Sequence, residues 1–403
     1  MEKEIKSQIE IIKKNTVEII EENELVEKLK NSIEKNQPLR VKYGIDPTAP
    51  EIHLGHTVPI KKLRDFQILG HKIIFLIGDF TARIGDPTGR KETRPILSIE
   101  EITENLKNYK EQVSKILDID KTEFVYNSTW LAKLNLEEII KLTSIFTVAQ
   151  ILEREDFTER YKSKKPIFLH EFLYPLLQGY DSYVLKADIE IGATEQKFNL
   201  LAGRTIQSYL GDEKQVVITM PILIGTDGKL KMSKSYKNHI PINTTPFDMF
   251  GKIMSIPDNL MKDYFSLLTN VEEEKYSNLI EKNPRDAKAL LAKEIVKEFF
   301  SEKEAIWAEN EFNKIFRKKE NPTEIPIIEI QNEILNSNRE IEILEILWKK
   351  GIVSSKSEGR RLISQKAVKV DGKVIEDPLQ KIEIKDNMVI KIGKRKFYRI
   401  KKK

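Results

Sequence analysis

Residues 1–35 place Ile5, Ile9, Ile12, Ile19, Ile20, Leu25, Val26 and Leu29 at helical spacing among Glu and Lys, the pattern of one or two surface helices. From residue 38 the period shortens. The run PLRVKYGIDPTAP, a helical stretch after His53-Leu54-Gly55-His56, and then HKIIFLIGDF read as strand, helix, strand, punctuated by turn residues. The second strand is a near-continuous apolar run, which suits the interior of a parallel sheet with helices on both faces. The sheet is expected to resume at QVVITMPILIG, residues 215–225. Residues 226–240, TDGKLKMSKSYKNHI, are basic and almost free of apolar anchors, which predicts a mobile surface loop. Helical periodicity returns over 245–317, with Pro284 opening a helix that carries Ala287, Leu290, Leu291, Ile295 and Val296. The charged, proline-containing KKENPTEIP at 318–326 reads as a linker. Beyond it, Ser355 and Glu358 match a capping box, and KVDGKVI alternates around Asp371-Gly372, so a small helix-plus-hairpin module is expected.

The spans predict an α/β chain. A Rossmann-like parallel-sheet domain with N-terminal helices fills 1–225 and a basic loop 226–240. A helical domain follows over 241–320, then a linker over 321–340 and a small α+β domain over 341–403. The length of 403 residues allows about two to four folding units, and 40% hydrophobic with 33% charged residues excludes collagenous or disordered bulk. With no cysteine, disulfides, thiolate nucleophiles and Cys-based metal sites are excluded, and five histidines make an all-imidazole metal site a poor expectation. The N-terminus is charged throughout and the apolar run 73–78 is too short to span a bilayer; the expected place is the cytoplasm, with no membrane partner. The net charge of +5 is unevenly placed: residues 341–403 carry 18 Lys and Arg against 8 Asp and Glu, the rest 50 against 55. A basic tail on a mildly acidic body is the footprint of a phosphate-rich partner, or else a solvated lysine face.

Three segments carry candidate chemistry. In GIDPTAPEIHLGH, a strand ends at Asp46, Thr48 follows in a loop, and His53, Gly55 and His56 open a helix. A helix N-terminus just past a parallel strand suits an anion, and Gly55 leaves room for a nucleotide against the backbone. Two histidines three apart are also a metal pair in principle, but no third ligand is in register. In KLKMSKS, Lys229, Lys231 and Lys234 lie on a polar loop, where ammonium groups can close over a polyphosphate and neutralise charge as pyrophosphate leaves; ordinary surface lysine is the plain alternative. In FLHEFLYPLLQGYDSYV, Tyr174, Gln178 and Asp181 share one helix face, provided that the helix begins near Pro175. A buried carboxylate there would accept a hydrogen bond from a substrate hydroxyl and be left unpaired without one.

HLGH and KMSKS together resemble the HIGH and KMSKS motifs of class I aminoacyl-tRNA synthetases, in the expected order; the Walker A pattern is absent, since GDPTGRK lacks its spacing. With DPTAPEIHLGH, GDPTGR, LQGYDS and KMSKS, the chain resembles the bacterial tyrosyl-tRNA synthetases from about residue 38 onward. NPRDAKALLAKEIV resembles their helical anticodon-binding region, and SKSEGRRLISQKAVKVDGKVI the small RNA-binding domain shared with a ribosomal small-subunit protein. The resemblance implies ligation of L-tyrosine to tRNA(Tyr) through a tyrosyl-adenylate, with ATP as substrate accompanied by Mg²⁺. It implies no tightly bound cofactor or resident metal, and a homodimer. It assigns Thr48, His53 and His56 to the ATP phosphates and transition state, and Lys231 and Lys234 to the pyrophosphate. Asp46 and Gly55 fall on the nucleotide side, Gly192, Glu195 and Gln196 along the ribose and bound amino acid. Asp86, Tyr174 and Gln178 fall at the substrate ammonium, Asp181 at the phenol, and Lys356, Arg360, Arg361 and Lys366 on RNA.

Two departures from the family pattern stand out. Members carry a phenol-binding Tyr where this chain has Lys42; strand alternation points the adjacent Tyr43 to the other face, so Tyr43 is expected outside the pocket and Lys42 in contact with tyrosine. The family's GG[ST]DQ is IGATEQ here, with Ala193 and Glu195 narrowing one contact and lengthening another. A tryptophan-specific enzyme shares both ATP motifs but not the polar 174/178/181 face, and an idle RNA-binding relative would have no physical need of two histidines and an intact KMSKS.

Overall fold

The structure, a computed structural model, describes residues 1–87, 97–323, 325–330, 340–393 and 396–402. Thr88, Gly89 and Arg90 of the GDPTGR segment and residues 331–339 of the expected linker lie outside them. The chain forms two compact units, Met1–Ala308 and Glu309–Lys403.

In the first unit, helices α1 (Glu2–Lys13) and α2 (Glu22–Glu34) flank a short strand β1 (Glu18–Ile20), so Ile19 and Ile20 belong to a strand and not to a continuing helix. Strand β2 (Arg40–Ile45), helix α3 (Leu54–Ile68) and strand β3 (Lys72–Ile77) form the expected alternation, joined by β4 (Thr122–Tyr126), β5 (Ile189–Ala193) and β6 (Val216–Met220). The sheet order is β1-β6-β5-β2-β3-β4. All neighbours pair in parallel except β1, which runs antiparallel to β6 at the edge. The near-continuous burial of β3 and β6 is what a sheet covered on both faces requires. The order reverses between β2 and β5, and a doubly wound sheet opens a crevice beyond the carboxyl ends of its strands at that switch point.

The helix Leu169–Val184 lies over this crevice and begins six residues before Pro175, not near it. The proline removes an N–H inside the helix, and the first turn is held instead by Glu171. Its carboxylate accepts from the Phe168 N–H at 2.9 Å and from the buried Arg160 guanidinium at 2.5 and 2.8 Å. Five helices from Pro246–Ile253 to Glu302–Phe316 follow the sheet. Pro284 sits at the first position of Pro284–Phe299 and Asn283 caps it, as the pattern predicts. Lys61 and Arg64 of α3 fasten this helix through Glu298, at 2.5 and 3.0 Å.

The second unit holds strands β7 (Ile327–Ile330), β8 (Glu340–Glu342), β9 (Val368–Val370), β10 (Lys373–Val374), β11 (Lys381–Glu383), β12 (Val389–Ile392) and β13 (Lys396–Lys402), with helices Ile343–Lys349 and Lys356–Ser364. The sheet order is β10-β9-β12-β13-β7, and β8 pairs with β11. Part of the stretch expected as linker thus contributes an edge strand. The β9–β10 hairpin turns at Asp371 and Gly372, both with positive φ, as two-residue hairpin turns demand. Ser355 caps its helix by accepting from the Glu358 N–H, whereas Glu358 reaches back to Ser354, one residue earlier than a capping box.

Candidate active site

A cavity of about 500 Å³ opens at the switch point. Asp46, Thr48, His53, Gly55, His56, Asp86, Tyr174, Gln178, Asp181, Glu195, Gln196, Lys231 and Lys234 all line it, drawn from segments almost 190 residues apart. Lys42 and Gly192 do not. Lys42 is fully buried beneath the floor, paired to Glu190 at 3.0 Å. Tyr43, expected to face away, lines the cavity. Alternation does send the two side chains to opposite faces. The crevice, however, wraps over the end of β2, so Tyr43 borders it while Gln178 and Glu190 cap Lys42 off.

One lobe is built from carboxyl ends of strands and a continuous chain of hydrogen bonds. The Tyr174 hydroxyl donates to Asp46 Oδ2 at 2.9 Å, and Thr81 Oγ1 donates to Asp46 Oδ1 at 2.8 Å. Asn127, just past β4, donates from Nδ2 to Thr81 Oγ1 at 3.1 Å and to Asp181 Oδ2 at 3.2 Å, and Trp130 Nε1 donates to Asp181 Oδ1 at 2.8 Å. Asp181 is 1% exposed. Burial raises its pKa to about 7, against the Lys42 charge and the Trp130 and Asn127 hydrogen bonds, which pull it down. Gln178 donates to Glu190 at 3.1 Å. Asp86 accepts from Arg154 at 3.2 Å and Asn199 at 3.5 Å. Gln196 Oε1 accepts the Ala193 N–H at 3.1 Å, closing the turn after β5. Thr81, Asn127 and Trp130 went unread in the sequence. The only available signal was position, since Thr81 and Asn127 follow apolar strands where ligands gather.

The other lobe is cationic and imidazole-lined. His53 caps α3 and stacks on His56 with centroids 3.7 Å apart. The His53 backbone N–H donates to His56 Nδ1 at 3.3 Å, which places the His56 proton on Nε2. Burial pushes the His56 pKa down to about 4 and that of His53 well below the usual range, with nearby imidazoles adding to both effects. Both rings are therefore neutral N–H donors at pH 7. A third imidazole, His239, lies 6.0 Å from His53.

The loop 226–240 is anchored, contrary to expectation. Met232 and Asn238 are buried. The Asn238 amide donates to Asp227 at 3.0 Å and to the Lys231 carbonyl at 3.1 Å, and accepts the Ser233 N–H at 2.8 Å. Lys231 pairs with both oxygens of Glu195 at 2.7 and 2.8 Å, and Lys234 lies 3.7 Å from Glu51. The longer Glu195 side chain thus reaches across the cavity to the loop. Among the described residues no group of three or more His, Asp or Glu forms a metal cage.

In the second unit, Arg360 and Arg361 are exposed on the helix Lys356–Ser364. Lys356 is drawn to Glu345 and lies over the Trp348 ring, and Lys366 pairs with Glu376 at 2.8 Å.

The family described as tRNA synthetases class I (W and Y) matches residues 34–317, and the S4 domain matches 343–387. The tyrosine–tRNA ligase of Carboxydothermus hydrogenoformans is 55% identical over 98% of both chains, and that of Thermotoga maritima is 49% identical over 98% of this chain and 97% of the other. The tyrosyl-tRNA synthetase of Archaeoglobus fulgidus, solved with L-tyrosine, superposes with a TM-score of 0.60 at 25% identity, covering 76% of this chain and 99% of that one. A cavity at the switch point joining HLGH to KMSKS, with relatives of this identity along the full length, makes the chain a member of the tyrosine–tRNA ligase family of class I aminoacyl-tRNA synthetases, carrying an S4 domain.

Proposed function

We propose that the hydrogen-bonded lobe holds L-tyrosine and the imidazole lobe holds ATP. The tyrosine carboxylate oxygen attacks the α-phosphorus in line. The bond from that phosphorus to the bridging oxygen breaks, and pyrophosphate leaves with the electron pair. The terminal ribose hydroxyl of tRNA then attacks the adenylate's carbonyl carbon, AMP departs, and the hydroxyl proton is lost. No protein nucleophile takes part; positioning and electrostatic stabilisation supply the rate.

Asp181 accepts from the phenol, and Tyr174, Gln178 and Asp86 surround the ammonium. His56 Nε2–H and the His53 ring lie at the phosphates with Thr48 at the mouth; Gly55 lets the nucleotide lie against α3. Gln196 borders the bound amino acid, and Gly192, behind it, keeps the β5 turn narrow. Lys231 and Lys234 give up Glu195 and Glu51 for the triphosphate, stabilising the charge that develops on pyrophosphate. Mg²⁺ bound with the ATP would supply charge neutralisation on the phosphates.

Helices within 241–320 face the anticodon arm, and Arg360 and Arg361 meet RNA phosphates; the S4 match and the basic balance of 341–403 support this. A homodimer in the cytoplasm is our further reading. Large apolar side chains left exposed between Tyr126 and Leu169, among them Leu136, Ile140, Val148 and Phe168, support self-association. Among the described residues, no helix is long and apolar enough to cross a membrane.

The observation that carries the substrate assignment is Asp181, buried at the cavity floor with two donors already on it. ATP–pyrophosphate exchange without tRNA, with tyrosine, phenylalanine and tryptophan supplied separately, tests it. Exchange with tyrosine alone is expected. Exchange with tryptophan would overturn the assignment, and none at all would favour an idle RNA-binding relative.

A further inference from the structure

Beneath the tyrosine lobe lies a polar cluster that the reaction does not touch. Lys42 on β2 and Glu190 on β5 are register partners on adjacent parallel strands, with side chains 0% and 1% exposed. The ammonium has three N–H bonds and meets three acceptors: Glu190 Oε1 at 3.0 Å, Ser182 Oγ at 2.8 Å and the Gln178 carbonyl at 3.0 Å. Glu190 in turn receives Gln178 Nε2 at 3.1 Å on the oxygen shared with Lys42, and Ser182 Oγ at 3.0 Å and Gln215 Nε2 at 2.5 Å on the other. Both charged ends of the pair are fully satisfied, which holds them rigidly in place.

The chemistry of Glu190 sets the orientation of its neighbour. An ionised carboxylate only accepts hydrogen bonds, so the end of the Gln178 amide that meets it must be the NH₂. The other end, Oε1, has no protein partner among the described residues, and Gln178 lines the cavity. An amide oxygen there is an acceptor for an ammonium group, whereas the reversed amide would set two donors against each other. Lys42 matters because Glu190 alone would be a buried, uncompensated charge. It also ties down the Gln178 main chain.

We propose that the buried Lys42–Glu190 pair is a positioning device that locks the Gln178 amide with its oxygen toward the ammonium of bound tyrosine, making the pair a determinant of α-amino recognition without touching substrate. This rests on the reading that Gln178 faces that ammonium. Neither residue is a catalytic residue. A Gln at position 190 would keep its oxygen on the donor-only Lys42 and still accept from Gln178, whereas Glu190→Met removes the acceptor and frees the amide to turn.

The test compares binding of L-tyrosinol with 3-(4-hydroxyphenyl)propan-1-ol, which lacks only the amino group, by calorimetry on the full chain. Wild type should bind tyrosinol the more tightly. Glu190→Met should weaken tyrosinol about tenfold and leave the deamino alcohol within about twofold, whereas a purely structural role would weaken both equally. Should that variant fold poorly, Lys42→Met/Glu190→Met replaces the ion pair by apolar side chains, an exchange buried pairs often tolerate, and should show the same selective loss. Equal losses for both alcohols, or retention of the amino preference in the folded double variant, overturn the proposal. Gln178→Ala separates it from the reading beneath it. If Gln178→Ala keeps the preference, Gln178 does not face the ammonium and the proposal falls with that reading. If Gln178→Ala loses the preference and Glu190→Met keeps it, the positioning role alone is refuted.

Discussion

Asp181→Asn tests whether Asp181 reads the phenol of tyrosine. The carboxylate already receives Trp130 Nε1–H at 2.8 Å and Asn127 Nδ2–H at 3.2 Å, and a tyrosine hydroxyl would add a third donor. A hydrogen bond to a charged acceptor contributes roughly 1.5–3 kcal/mol, which corresponds to about a 10- to 150-fold change in kcat/KM. An asparagine must turn its NH₂ toward Trp130, toward Asn127 or toward the substrate. It can serve the substrate only by leaving one protein donor unpaired, so the loss with tyrosine should fall toward the upper end, while phenylalanine, with no hydroxyl to place, should change little. Ionisation adds an independent signature. Because burial sets the Asp181 pKa at about 7, the tyrosine kcat/KM of the wild type should fall as pH drops below about 7, and Asp181→Asn should be flat between pH 6 and 8. The His56 pKa of about 4 keeps that ring from titrating in this window. The assay is ATP–pyrophosphate exchange with both amino acids across that range. Undiminished discrimination against phenylalanine in Asp181→Asn, or an acid limb near pH 7 that survives the substitution, would refute the assignment.

A Cβ at Gly78 would lie 2.1 Å from Asp46 Oδ1 and 2.4 Å from Thr81 Oγ1, so Gly78→Ala should break the Asp46–Thr81 bond, raise the KM for tyrosine, and cost on the order of 1–3 kcal/mol of stability in a denaturant titration; an unchanged KM would show that the bond is dispensable. His71 accepts the Leu39 N–H on Nδ1 at 3.3 Å and meets Gln8 Oε1 through Nε2 at 3.1 Å, and burial holds its pKa down to about 4. Its proton is therefore bound more readily by the unfolded chain, so stability is full above about pH 6.5 and lost toward pH 4, by up to roughly 3 kcal/mol per such ring. Asp181 works in the opposite sense, adding stability as pH falls from about 7 toward 4. His71→Gln should thus flatten the acid side of the melting-temperature curve; an equally steep curve would locate the acid sensitivity elsewhere. Replacing Arg360 and Arg361 by Ala should weaken tRNA binding in filter assays and lower the slope of log affinity against log salt by about one to two. An unchanged slope would remove them from the RNA interface.

What the chain determined by itself is local. HLGH opening a helix, KMSKS on a loop, Pro284 and Ser355 starting helices, and Asp371-Gly372 turning a hairpin each depend on a few consecutive residues and their backbone preferences, so each was legible in one dimension. The apolar runs that became β2, β3 and β6 were legible for the same reason. Tertiary packing decided the rest. Pro175 lies inside its helix because Arg160, eleven residues before Glu171, anchors the first turn. Lys42 stays beneath the pocket because Glu190 and Ser182, 140 residues or more along the chain, satisfy its ammonium, and Tyr43 borders the pocket because the crevice wraps over the end of β2. Ile19 and Ile20 joined a strand because the edge of β6 offered them pairing. Thr81, Asn127 and Trp130 carry no periodic or motif signal, and they joined the hydrogen bonds to Asp46 and Asp181 only when strands β2, β3 and β4 brought their ends together. A side chain's partner across the fold, unlike its helix or strand, is set by which distant groups must be neutralised or hydrogen-bonded once water is gone.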